Sequence, residues 1–134
     1  FYYIYSQLKD YRAGRRTHDI MSSMTEDLDK KMMKALATYY SEQDWKCDAA
    51  PIGEYDKKLA ERTIASGQCT QCHGTNFIAT SGNPRVACQK QSYLLETMLA
   101  FKAKTRKNAP AKMSLFQDIS DEAIQAVSKY LAEK

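Results

Sequence analysis

Apolar positions recur at helical spacing in several stretches of this chain. Tyr93, Leu94, Met98 and Phe101 fall on one face of a 3.6-residue period, as do Ile124, Val127, Tyr130 and Leu131. Ser120 precedes the second of these stretches, where a helix N-cap belongs. Asp29 stands in the same way before a third stretch that runs to Tyr40. Tyr55 to Ala65 reads as a further helix, stopped by Ser66-Gly67. From Trp45 to Gly53 the pattern breaks, and Asp48-Ala49-Ala50-Pro51-Ile52-Gly53 reads as a linker. The pattern predicts an all-α chain.

These stretches repeat. Tyr3-Ile4-Tyr5, Leu8 and Tyr11-Arg12-Ala13 match Tyr93-Leu94-Leu95, Met98 and Phe101-Lys102-Ala103, with Arg16 opposite Arg106. Leu28-Asp29 through Tyr40 matches Ile119-Ser120 through Leu131, at an offset one residue larger. Each copy reads helix, basic methionine-containing loop, helix. The second copy also has the Tyr55–Ala65 helix ahead of it. Residues 47–134 are therefore expected to form a complete unit, and residues 1–46 the C-terminal half of a similar one. The chain starts in mid-helix without an initiator Met, so the head of the first unit is expected to precede Phe1.

Composition narrows the picture modestly. At 134 residues the chain suits one compact domain or two very small ones. No apolar run approaches membrane-spanning length, and Phe1-Tyr2-Tyr3-Ile4-Tyr5 lacks the three-part pattern of a signal peptide. The expectation is a soluble protein that meets a membrane only through a partner complex. The net charge of +4 gathers in Arg12, Arg15 and Arg16, and in Lys102, Lys104, Arg106, Lys107 and Lys112. Such clusters are either solvated loop charge or a docking surface for an acidic partner. No recognition motif or basic-aromatic interleaving accompanies them, which argues against nucleic acid.

The most specific chemistry lies in Cys69-Thr70-Gln71-Cys72-His73. C-x-x-C-H is the attachment signature of c-type haem: the two thiols form thioethers with the porphyrin vinyl groups, and the histidine reaches the iron. A thioredoxin-like redox pair would need a βαβ setting, which the pattern does not offer. A zinc site would need a fourth ligand, for which Cys88 is available. Cys47 and Cys88 are a second even pair, either a disulfide or two free thiols.

Residues 47–134 resemble a class I cytochrome c, and the tandem resembles the dihaem cytochrome c4 family. It also resembles the related cytochrome subunits of flavocytochrome c sulfide dehydrogenases. The resemblance is carried by Cys69 to Gly74, by Pro84, Gln89, Tyr93 and Leu94, and by Phe101-Lys102. Arg106-Lys107-Asn108, Met113 and Ile119-Ser120-Asp121-Glu122 complete it. Cys88 departs from it, standing where such proteins usually carry Gly, and so does a methionine loop one residue shorter in the second unit.

The resemblance implies tandem class I units carrying haem c, with His73 proximal and a methionine opposite. Met113 is the expected sixth ligand, because it follows Asn108-Ala109-Pro110 in what reads as a loop, whereas Met98 lies on an apolar helix face. In the first unit Met21 aligns best, facing a second haem whose attachment residues would precede Phe1. Met24 lies too near a helix start, and Met32 and Met33 read as core. His18 is a weaker ligand candidate, read rather as a loop histidine near a propionate. Pro84, Arg85, Tyr93 and Arg106 are implied as haem-wall or propionate contacts. The expected function is periplasmic one-electron transfer without catalysis, serving a respiratory complex, an oxidase or a dehydrogenase. An electron-accepting subunit of a dehydrogenase complex is the alternative, with a haem enzyme of open iron site a third reading.

Overall fold

The computed structural model describes residues 1–47, 51–79 and 82–134. Eight helices account for the regular structure among them: α1 (Tyr2–Arg12), α2 (Asp19–Glu26), α3 (Lys30–Ser41), α4 (Lys57–Ser66), α5 (Cys69–His73), α6 (Gln91–Lys102), α7 (Pro110–Gln117) and α8 (Asp121–Ala132). Part of the expected linker, at 48–50, lies outside the described residues.

The start signals read from sequence act as caps. Asp29 accepts from the Met32 amide, and Ser120 accepts from the Ala123 amide. Asp56 accepts from Leu59 N, so α4 begins at Lys57 and not at Tyr55.

Helices α4, α6, α7 and α8 form one packed group, with α8 at its centre against α4 and α6, and α7 against α6. Ile124, Val127 and Leu131 of α8 bury their side chains against Ala60 and Ile64 of α4 and Leu94 and Met98 of α6. The short α5 adjoins α4. In the first segment α1 packs against both α2 and α3, burying Leu8, Tyr11, Met33 and Ala37. Met32, expected in the core with Met33, is instead 48% exposed, because adjacent helical residues point about 100° apart.

The basic methionine loops both contain a helix. In the second copy Pro110 occupies the first turn of α7, where its missing N–H costs nothing. Met113 therefore sits on a helix and not in a loop. Helices α2 and α7 are both eight residues long, and α3 and α8 both twelve, each pair offset by 91. The second methionine segment is thus not shortened. The extra residue lies in the approach to α7, between Arg106 and Pro110, where the first copy has only Thr17 and His18 between Arg16 and Asp19. His18 is the cap of α2, its Nδ1 accepting from Met21 N at 3.5 Å.

The two helical groups meet through a reciprocal contact. Arg16 donates to the Tyr93 hydroxyl at 3.0 Å, and Arg106 donates to the Tyr3 hydroxyl at 3.4 Å. Each guanidinium also lies over the aromatic ring of its own copy: Arg16 over Tyr11 at 4.7 Å, Arg106 over Phe101 at 4.6 Å. Gln7 Oε1 accepts from Arg16, Arg106 and Asn108, and Asp10 accepts from Asn108 at 2.8 Å. The basic residues of the first cluster are thus tied down: Arg12 donates to Leu28 O, and Arg15 pairs with Asp10.

Candidate functional site: a cavity beside the CTQCH turn

Helix α4 ends at Gly67, and Gln68 turns the chain with φ 50°, so that Cys69–His73 makes a single helical turn. Cys69 and Cys72, three apart, share a face of that turn, and both are free thiols. Gly67 leaves little room for a side chain. A Cβ there would meet Thr63 O at 3.1 Å, Cys69 Sγ at 3.3 Å and Leu115 Cδ1 at 3.7 Å. The same contacts show that α7 arrives directly against the attachment turn.

His73 is half-buried, its Nδ1 2.9 Å from the Pro84 carbonyl. A carbonyl only accepts, so Nδ1 carries the proton and Nε2 keeps its lone pair. Burial lowers the imidazole pKa from its ordinary value; the Pro84 bond opposes this, and the charge of Lys112 adds to it. A neutral imidazole with a free Nε2 is what ligation to iron requires. Burial raises the Cys69 thiol pKa.

These residues open on a cavity of about 1070 Å³, at the upper end of ligand pockets, which run to about 1,000 Å³. Cys69, Cys72 and His73 lie on its wall with Pro84 and Arg85. Leu94, Met98 and Phe101 of α6 and Ile124, Val127 and Leu131 of α8 supply an apolar side. Tyr93 and Arg106 stand on the wall facing α1, and Phe1, Tyr3 and Ile4 reach it from the first segment. Two thiols, a neutral imidazole and a broad apolar chamber fit a flat macrocycle that carries an iron and two carboxylates. Arg85, Arg106 and Lys112 are the basic side chains on the chamber wall that could meet such carboxylates.

Cys88 is joined to Cys47 by a disulfide, with Cα atoms 5.4 Å apart. That choice, open in the sequence, removes the fourth ligand that a zinc site on Cys69, Cys72 and His73 would have needed. The bond fastens the segment after α3 to the loop that follows Pro84. There Trp45 stacks under Arg85, 5.2 Å from the guanidinium to the ring centroid.

Seven of the expected site residues share the cavity: Cys69, Cys72, His73, Pro84, Arg85, Tyr93 and Arg106. Met113 does not line it; its neighbour Lys112 does, and Met98, expected as packing, is both buried and on the wall. Met21 is half-buried on α2 and lies away from this cavity. Lys112 and Leu115 were the residues missed. Counting back from the α3 and α8 starts would have found Lys112, since it and Met21 are each seven residues before the equivalent Ile119 and Leu28. Burial lowers the Lys112 pKa, and the nearby Arg106 lowers it further.

No family model matches the chain. It is 31% identical over 144 residues to a thiosulfate dehydrogenase electron acceptor of Stutzerimonas stutzeri, covering 97% of this chain and 65% of that protein. It is 30% identical over 139 residues to cytochrome c4 of Thiocapsa roseopersicina, covering 96% of this chain and 72% of that one. The chain thus spans about two thirds of the length of these curated relatives. In fold it is similar to the solved cytochrome c4 of Acidithiobacillus ferrooxidans, with a TM-score of 0.85 at 22% identity, covering 98% of this chain and 83% of that one. With its all-helical tandem and its attachment turn set on an apolar chamber, the chain belongs to the cytochrome c4 family, whose members carry haem c.

Proposed function

We propose that this chain is a one-electron carrier, with haem c held by Cys69, Cys72 and His73 in the 1070 Å³ cavity. The observation that carries the reading is the convergence of both thiols and a neutral, carbonyl-bound imidazole on one apolar chamber. Bound there, the haem supplies an iron that accepts and gives up a single electron. The protein's residues hold and shield it. Pro84 O fixes the His73 tautomer, the α6 and α8 faces exclude water, and Arg85 and Arg106 offset carboxylate charge. Helix α7 brings Lys112 to the chamber wall with Met113 next to it, and one of these two donors would complete the hold on the iron. The protein acts without catalysis of its own.

Residues 47–134 are the complete unit in this reading, and residues 1–46 belong to a second, with Met21 on the segment equivalent to α7. A second haem beside Met21 would make the pair a relay. Covalent haem of this kind is attached outside the bacterial cytoplasm, so the proposed location is the periplasm.

The relative named as the electron acceptor of thiosulfate dehydrogenase favours a dehydrogenase as the electron donor. Anaerobic rapid mixing of the oxidised holoprotein with a thiosulfate dehydrogenase and its substrate tests both points. One-electron reduction per haem within the mixing time supports the reading. Slow reduction coupled with rapid peroxide turnover or cyanide binding would replace it with a haem enzyme.

A further inference from the structure

Lys112 is an unexplained cation. Its side chain lines the cavity, its ammonium lies 5.5 Å from the centre of the buried Phe101 ring, and Arg106 already occupies that ring at 4.6 Å. Among the described residues its ammonium has neither a carboxylate in ion-pair range nor a hydrogen-bond acceptor, unlike Lys102, which holds Ile119 O and Asp121. A lysine left against an apolar wall without a partner is costly unless something else in the cavity receives it.

The repeat says what that position is for. Helices α2 and α7 have equal lengths and bounds 91 apart, so Lys112 is the third residue of α7 as Met21 is the third of α2. The equivalent of Met113 is Ser22, which has no donor for a haem iron of this kind. Between the adjacent donors of α7, only the amine faces the chamber that His73 also lines.

We propose that the ε-amine of Lys112, and not the Met113 thioether, ligates the iron opposite His73. The inference rests on the haem reading of the cavity given above. The nitrogen lone pair forms the bond to iron, and the ammonium proton it replaces passes to solvent; no electron is exchanged. An amine is a harder donor than a thioether and favours the ferric state, so this haem takes a lower potential than a His/Met haem would.

The test is spectroscopic, on the intact holoprotein. The ferric wild type should be low-spin, with no near-infrared thioether charge-transfer band beyond the one that a haem beside Met21 contributes. Lys112→Met should gain a further such band and shift the midpoint potential upward, while Met113→Ala should leave the ferric spectrum unchanged. Lys112→Ala, with its spectrum turned high-spin and open to cyanide, supports the same assignment. A thioether band in the wild type that disappears in Met113→Ala overturns the proposal, leaving Lys112 as a partner for a haem carboxylate. Absence of covalent haem by pyridine haemochrome overturns the cavity reading itself, and the proposal with it.

Discussion

Gly74 follows the attachment turn at φ 74° and ψ 163°, a backbone conformation open essentially to glycine alone. Gly74→Ala should therefore cost about 1–3 kcal/mol, seen as a lowered melting temperature by circular dichroism. The thiols beside it carry a sharper expectation: Cys69→Ala with Cys72→Ala should leave this unit unstained for haem on a denaturing gel. Stain that persists at full strength on residues 47–134 would remove the attachment assignment. The CTQCH run was legible because covalent attachment needs contiguous residues, so the chemistry is written locally. The sixth position was less so, because Lys112 and Met113 are adjacent donors and the residue pattern alone does not separate them. The proposed choice of Lys112 over Met113 rests on the matched lengths of α2 and α7.

Helices whose apolar faces repeat at 3.6 residues, such as α6 and α8, were legible with their caps. Helix α7 was not, because Pro110 reads as a breaker when it stands in fact at a helix start, and because the helix buries none of its residues fully. Helix α4 matters most to the site, since it ends where the attachment turn begins. Asp56→Ala removes the acceptor of Leu59 N and should cost about 1 kcal/mol, read as a lower urea midpoint with an unchanged slope. A changed slope would mean that the substitution has altered more than the cap.

Across the whole molecule a disulfide closes the second unit, and hydrogen bonds join it to the first. The Cys47–Cys88 disulfide spans 41 positions, so Cys47→Ser with Cys88→Ser should destabilise by about 2–4 kcal/mol in denaturant titration. The Arg16–Tyr93 bond should show a coupling of roughly 1 kcal/mol in a cycle of Arg16→Ala and Tyr93→Phe; additive effects would mark it as incidental. Its counterpart, Arg106–Tyr3, repeats the same contact with the roles of the halves exchanged. That exchange is the mark of an isologous contact, in which one patch meets a copy of itself across a two-fold axis. Two separate polypeptides of a single kind could have made this contact before any linker joined them. In this chain the linker holds together in one polypeptide a contact of the kind that two protomers make. Joined in this way, the halves are free to diverge, so that one position can hold methionine in the first and lysine in the second.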